Sequence, residues 1–449
     1  MEIEDFKSIN IKPGYKYLSD YNLILNEKTE DIFYKYAHNI NKVNIININP
    51  SEDLIRKQVK YIKQMTLEIS QDCNLRCKYC LFGGHYYFRR SRSHVLMPYE
   101  TAKAAVDYLH GIIQDRYQRD FCIGFYGGEP LLNFSTIKSI VTYAKDKFEG
   151  WKLRFAITTN GTLLTDDIIN YLIMNNFSMV ISLDGPSDIH DAKRRFADGR
   201  GSFDIVMKNL KRIHEKDEAY FKTIAISIVW SRELPLEKIY RFFADEEGIV
   251  RDNILILTNP VGLDTDYHDV YKFDRQSNLQ EVKRVLSSIL DKIQDHKQLT
   301  PMDRLLFFDQ LWSLLKSKTY SSLYGACFFN EKIFVDAEGC FHICHMMNNR
   351  FSFGDVRTGF NFSRMEEIAK DYLDTVKVHC YDCPVKFLCV RCYPRFAKNG
   401  FFECHTDTCQ VIRKALVRSL KRYIKLNEMG ISPGLAKYEN QTFPSVCPS

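Results

Sequence analysis

The 449 residues are 45% hydrophobic and 26% charged, more chain than one hydrophobic core organises, so two or three domains are expected. No window approaches the roughly 20 uncharged apolar residues of a membrane span, and the acidic start Met1-Glu2-Ile3-Glu4-Asp5 lacks a secretory signal's basic and apolar regions, so a cytoplasmic protein without a membrane partner is expected. A net charge of +6 is mild for this length and gives no ground for inferring nucleic-acid binding.

Residues 1–64 form an N-terminal extension without cysteine, in which Val43 to Asn49 reads as a strand closed by the turn signal Asn49-Pro50. From 65 to 260 short β-branched or apolar runs alternate with amphipathic segments, the pattern of strand and helix units with parallel strands. Six strands are predicted: Met65 to Ser70, Phe121 to Tyr126, Leu153 to Thr158, Met179 to Leu183, Thr223 to Trp230 and Ile254 to Thr258. Pro98 opens a helix with Ala102, Ala105, Val106 and Leu109 at helical spacing, and another follows Asp204 with Val206, Leu210 and Ile213 on one face. An α/β fold follows, a partial (β/α)6 TIM-like barrel whose site lies at the carboxyl ends of the strands. Residues 261–326 read as a helical bridge with Leu279, Val282, Leu286, Ile289 and Ile293 on one side. Residues 327–410 hold nine of the 14 cysteines in Gly-punctuated sequence, which predicts a small C-terminal domain organised by metal rather than by a large core. A helix to about 428 and a tail fill 411–449.

In a reducing compartment spaced cysteines are metal ligands sooner than disulfides. Cys73-Asn-Leu-Arg-Cys77-Lys-Tyr-Cys80 directly follows the first strand and offers three thiolates on one loop. Three is the informative number, because a four-iron cube held by three cysteines keeps one iron for an external ligand. A structural zinc ion wants four ligands, and His85 and His94 are the nearby side chains that would have to complete such a site.

The C-x3-C-x2-C spacing after a first barrel strand resembles the radical S-adenosylmethionine (SAM) superfamily. Its Gly-Gly-Glu-Pro signature matches Gly127, Gly128, Glu129 and Pro130, where glycines admit close backbone approach and the carboxylate is expected to receive the methionine ammonium. The third strand ends Thr158-Thr159-Asn160-Gly161, and the fourth runs Ser182-Leu183-Asp184-Gly185-Pro186 before His190, Asp191, Arg194 and Gly199-Arg200-Gly201-Ser202-Phe203, similar to the peptide-modifying and sulfatase-maturing branch. By that resemblance Asn160 belongs to the cofactor site, and Ser182 and Arg194 hold the methionine carboxylate, for which a guanidinium fork is suited. Cys327, Gly339, Cys344, Cys380-x2-Cys383-x5-Cys389-x2-Cys392, Cys404 and Cys409 resemble the SPASM domain, with one residue fewer in the last step of the central motif and without a cysteine shortly after Cys327. The resemblance implies a distal cluster on Cys380, Cys383, Cys389 and Cys409 and a proximal one on Cys327, Cys344 and Cys392, hence three [4Fe-4S] clusters with S-adenosylmethionine. Zinc ribbons are the other reading of the paired CxxC motifs. For the fourth proximal iron Cys340, Cys404 or a substrate thiolate are the candidates, and the substrate thiolate is preferred.

A reduced cluster in this family splits SAM to a 5′-deoxyadenosyl radical, so the implied activity is oxidative maturation of a ribosomally made precursor peptide, by a thioether or carbon–carbon crosslink. Its implied partners are a leader-bearing peptide and a low-potential donor such as flavodoxin or ferredoxin. The second reading is a sulfatase-maturating, formylglycine-forming enzyme, against which His345 stands where that branch carries an aspartate. A third, of another class, is a non-catalytic iron–sulfur scaffold. The extension is read as leader recognition by strand addition or as a barrel cap. Phe88, Arg89, Arg90, Arg92 and His94 read as a solvated loop or a basic lip for an acidic precursor, Cys122 as a core residue and Cys447 as a surface thiol.

Overall fold

The computed structural model describes residues 8–12, 15–18, 23–26, 32–34, 50–86, 89–115, 117–229, 235–245, 248–258, 265–267, 278–307, 329–380, 383, 389, 392–398, 400–404 and 406–428. The expected strand Val43 to Asn49, Cys327 and Cys447 lie outside them. Strands β1 (Ser8–Lys12), β2 (Tyr15–Leu18), β3 (Leu23–Asn26) and β4 (Ile32–Tyr34) form an antiparallel meander, and β1 lies against the helix Thr406–Glu428.

The central sheet contains β5 (Gln64–Ser70), β6 (Asp120–Gly127), β7 (Lys152–Thr159), β8 (Ser178–Ser182), β9 (Ala225–Val229) and β10 (Ile254–Thr258), parallel and in sequence order. The six strands are those expected, with bounds within one residue except at the fifth, whose expected end Trp230 lies outside the described residues and whose start moves. Thr223 ends a short helix, Glu218–Thr223, because the Asp217 carboxylate caps it through the Tyr220 N–H at 2.8 Å. The helix Tyr99–Ile113 follows Pro98 and buries Ala102, Ala105, Val106, Leu109 and Ile113; the helix Phe203–Lys216 buries Val206, Leu210 and Ile213. In the bridge, Val285, Ile289 and Ile293 of the helix Asn278–Gln294 pack with Leu236 and Phe307.

The cysteine-rich region departs from its expected character. Strand β11 (Lys332–Val335) pairs in parallel with β5, and β12 (Phe341–His342) pairs antiparallel with β11, so the barrel sheet runs on into that region. Phe329, Ile333, Phe341, Phe353, Met365 and Tyr372 are buried in the same continuous core as the barrel strands. An aromatic core, and not metal alone, therefore organises it. Among the described residues no helix is long and apolar enough to cross a membrane.

The arginine run after the cysteine loop is neither a solvated loop nor a basic lip, since its three arginines point inward. Arg90 donates to the buried Glu68 carboxylate at 2.7 Å and to the His345 carbonyl at 3.3 Å, and Arg89 donates to the carbonyls of Met346 and Pro394. Arg92 donates to the Leu75 carbonyl. Glu68 also accepts from the Ala337 N–H at 3.2 Å, so one carboxylate joins barrel, cysteine loop and C-terminal region. Glu68→Ala would strand Arg90 as a buried charge, and the apoprotein should lose about 3 to 5 kcal/mol, read as a lower urea midpoint. Substitution of the exposed Glu215 is expected to leave that midpoint in place.

Candidate active site

The carboxyl ends of β5 to β8 gather the site. Gly127 has φ +138, and a Cβ there would stand 2.0 Å from the Ser70 carbonyl oxygen; at Gly128 it would stand 2.2 Å from that of Asp72. Bare backbone lets the Gly128 N–H donate to Ser70 at 2.7 Å and the Glu129 N–H to Asp72 at 2.9 Å. That pairing turns the cysteine loop over the strand ends. Asp72 in turn receives the Cys73 N–H at 2.8 Å and faces His94 Nδ1 at 2.9 Å, while His85 faces Asp266. Both flanking histidines are thus engaged with aspartates.

Glu129 is fully buried and accepts from the Leu131 N–H, the Thr159 hydroxyl at 2.7 Å and the Asn160 N–H at 2.7 Å. Burial outweighs those donors and raises its carboxyl pKa to about 7. Asn160 also donates its side-chain amide to Asn74 at 2.8 Å and approaches the Cys73 sulfur at 3.8 Å, so it ties the carboxylate to the loop.

The three loop thiols sit among little that would ionise them. Burial, with Glu129 next, pushes Cys73 up to about 12; burial pushes Cys77 up to about 11 against the nearby Arg194, and Cys80 is raised by burial as well. Such thiols ionise when a metal takes the proton's place. Among the described residues no three Cys, His, Asp or Glu side chains converge as ligands of one metal ion. A four-iron cube spreads its thiolates over separate irons, and three cysteines on one loop fit that donor set.

Ser182 stands half-exposed at the end of β8, in register with Ser227. Arg194 is buried, and its fork closes on Asp184, Nε to Oδ2 at 2.8 Å and Nη2 to Oδ1 at 3.2 Å. Asp184 also accepts from the Tyr79 hydroxyl and from the Val229 N–H at 3.0 Å. Asp184 and Tyr79 are the site residues that sequence reading passed over, although both stand inside the motifs it quoted.

In the C-terminal region the Cys404 and Cys409 sulfurs lie 3.6 Å apart, with Cys380 and Cys383 close enough to add to the rise of Cys404, which burial leads, to about 12. Thr375 and Asp371 bond Phe402, which lays the segment before Cys404 along the helix that ends at Cys380. Cys404 therefore joins Cys380, Cys383 and Cys409. Cys344 and Cys392 neighbour each other, and burial lifts Cys392 to about 12. Cys340 faces Ser352 and Asp355 instead. A cavity between β5, β6, β7 and β11 brings Thr66, Tyr126 and Thr158 together with Lys332, Cys344 and His345.

Residues 67–229 match the Radical SAM superfamily model, so the barrel carries a radical SAM domain. The chain is 28% identical to the radical SAM cyclopropyl synthase TigE of Paramaledivibacter caminithermalis over 48% of its own length and 45% of that protein's. It thus spans about half the length of relatives matched over the barrel. A cysteine-type anaerobic sulfatase-maturating enzyme of Clostridium novyi is 23% identical over 72% of this chain and 85% of the relative. The solved structure of native anSMEcpe with bound AdoMet superimposes with a TM-score of 0.60 at 18% identity, covering 82% of this chain and 98% of that one, which shows a shared fold.

Glu129 gives the apoprotein a pH signature. A carboxyl whose folded pKa stands near 7, against 4.5 when exposed, leaves the fold at full strength below pH 4.5 and weakens it as the pH rises to 7. The loss should reach about 3 kcal/mol. Glu129→Gln should flatten that part of the pH–stability curve in chemical denaturation.

Proposed function

From the premise that the barrel is a radical SAM domain, we propose that this protein is a maturase that uses SAM to oxidise a side chain of a ribosomally made peptide. The observation that carries the reading is the convergence of Cys73, Cys77 and Cys80 with the backbone of Gly127 and Gly128 and the buried Glu129. In this reading the loop thiols hold a four-iron cluster, which when reduced supplies the electron that splits SAM. Glu129 receives the methionine ammonium, whose charge offsets the burial that otherwise keeps this carboxyl protonated near neutral pH. Asn160 holds Glu129 and Cys73 in one frame.

The C-terminal thiols hold two further clusters in this reading, a proximal one on Cys327, Cys344 and Cys392, of which Cys344 lines the cavity, and a distal one on Cys380, Cys383, Cys404 and Cys409. The cavity that His345 and Tyr126 line is the place for the reacting side chain. Its partners are the precursor peptide and a low-potential flavodoxin- or ferredoxin-type donor, in the cytoplasm. Strand β4, which among the described residues pairs only with β3, offers an edge for a leader strand. Maturation of a sulfatase is the second reading, favoured by the longer span shared with the sulfatase-maturating relative.

Two experiments test the reading. Anaerobically reconstituted, dithionite-reduced protein should convert SAM to 5′-deoxyadenosine, whereas the triple variant Cys73→Ala, Cys77→Ala, Cys80→Ala should keep auxiliary iron and make none; cleavage by that variant would overturn it. Mass loss of hydrogen atoms from a co-expressed precursor supports the peptide reading, and formylglycine in a sulfatase peptide the second. Because Cys404 lies with the distal thiols, Cys404→Ala is expected to lower bound iron by about one cluster, four atoms, as Cys409→Ala does. Full iron in Cys404→Ala would return the fourth corner to Cys389.

A further inference from the structure

We propose that the outward face of the helix Thr406–Glu428 is the docking surface for a small acidic electron-carrier protein, which delivers electrons to the distal cluster. The inference rests on the radical SAM reading and on the distal cluster it includes, and it adds where the carrier seats.

The helix carries six cations, Arg413, Lys414, Arg418, Lys421, Arg422 and Lys425, and its acids, Asp407 and Glu428, stand at its two ends. Helical periodicity puts Lys414, Arg418, Lys421 and Lys425 in one narrow stripe, about 16 Å long at about 1.5 Å per residue. Lys414, Arg418 and Lys425 are exposed and Lys421 is half-buried, while Leu416, Leu420 and Leu426 are buried on the other side. Other exposed helical cations, Lys211, Lys222, Arg241 and Lys370, pair with an acid one turn away. In this stripe the residue four positions on is a cation each time: Arg418 after Lys414, Arg422 after Arg418, Lys425 after Lys421. Like charges at that spacing repel and weaken a helix. The crowding reaches Arg422, whose guanidinium is held below its ordinary range by burial first and by Arg418 next. An anionic partner laid along the stripe relieves that repulsion.

The neighbourhood of the stripe points to a redox partner. Lys414 follows Cys409 by little more than one helical turn, and the Cys409 sulfur lies 3.6 Å from that of Cys404. Cys383, Cys404 and Cys409 are each partly exposed, so a cluster on them lies near the surface. Apolar side chains stand open around them, Val378 at 78% exposed, Phe401 at 47% and Val411 at 36%. Asp371 and Thr375, which bond Phe402, share a helix face with Val378, so Val378 flanks the segment that leads to Cys404. Val411 lies on the face of the stripe, one turn before Lys414. A small apolar centre beside a redox group, with charge at its margin, suits a brief encounter, because charge speeds the approach and a small contact lets the carrier leave. None of the four stripe residues is aromatic, so a nucleic acid would find no stacking platform among them. In the step itself the carrier's flavin hydroquinone gives up one electron and becomes a semiquinone, and the distal cluster takes up that electron.

The test uses the reconstituted enzyme under argon, with a flavodoxin as the probe. Oxidised flavodoxin should bind the parent at low ionic strength and less tightly as salt is added. The variant Lys414→Glu, Arg418→Glu should raise the dissociation constant by about tenfold or more, and should slow electron transfer from flavodoxin hydroquinone by a similar factor in stopped flow. Its dithionite-driven yield of 5′-deoxyadenosine should equal the parent's. The variant Lys208→Glu, Lys211→Glu makes the same change of net charge on another exposed helix face and should bind within about twofold of the parent. Equal weakening in both variants would show attraction to net charge alone, and an unmoved dissociation constant in the first would seat the carrier elsewhere; either overturns the inference, as does a parent that splits SAM with dithionite yet binds no flavodoxin. Lost affinity for a polyglutamate peptide with unchanged flavodoxin binding would assign the face to an acidic peptide and overturns it too. If the charge-reversed variant fails to fold, Lys414→Gln with Arg418→Gln decides, with binding about threefold weaker expected. A parent that makes no 5′-deoxyadenosine with dithionite would instead overturn the radical SAM reading, and this inference with it.

Discussion

Everything at the site depends on how closely the carboxyl ends of β5 and β6 approach. Backbone bonds of 2.7 and 2.9 Å, from Gly128 to Ser70 and from Glu129 to Asp72, leave no room for a Cβ at either glycine. That contact sets the exit angle of the cysteine loop, and it buries Glu129 completely. The carboxylate's raised pKa, its three donors and its tie through Asn160 to Cys73 are consequences of one steric requirement. The strain is local, while the parallel register of the two strands spreads its support across the sheet.

The same economy of charge governs the second layer of the site. Arg90 with Glu68 and Arg194 with Asp184 are both buried pairs, and each links the cysteine loop to a different neighbour. The first reaches the C-terminal region, the second reaches the end of β8 and β9. Pairs of this kind add little net stability, because desolvation takes back most of the attraction. What they give is a single geometry for a loop that has no helix or strand of its own.

Much of this was legible in the sequence. The six parallel strands stand out because their runs are apolar and rich in β-branched residues, and the loop cysteines are marked by spacing alone. Strands β11 and β12 were not legible, since they span four and two residues and no local periodicity records a partner at the far side of the barrel. The arginines misled for a related reason. A run such as Arg89, Arg90 and Arg92 looks like surface until its acceptors are known, and those lie at Met346, His345, Pro394, Glu68 and Leu75. Likewise the motif alone does not reveal that Arg194 pairs with Asp184, since nothing in the spacing marks that contact.

The pairing of β11 with β5 also sets an order of events during synthesis. Lys63 and Glu331, which meet beside that seam, are 268 positions apart. At typical translation rates, about 5 to 20 residues per second, β5 leaves the ribosome many seconds before the strand that covers it. Throughout that interval the nascent barrel presents an unpaired parallel edge, with main-chain donors and acceptors facing outward. High contact order makes the final docking slow, and an uncovered edge invites pairing with a neighbouring chain. Premature termination before residue 332 would leave this edge bare permanently, so truncated products of this chain should be sticky in a way the full chain is not.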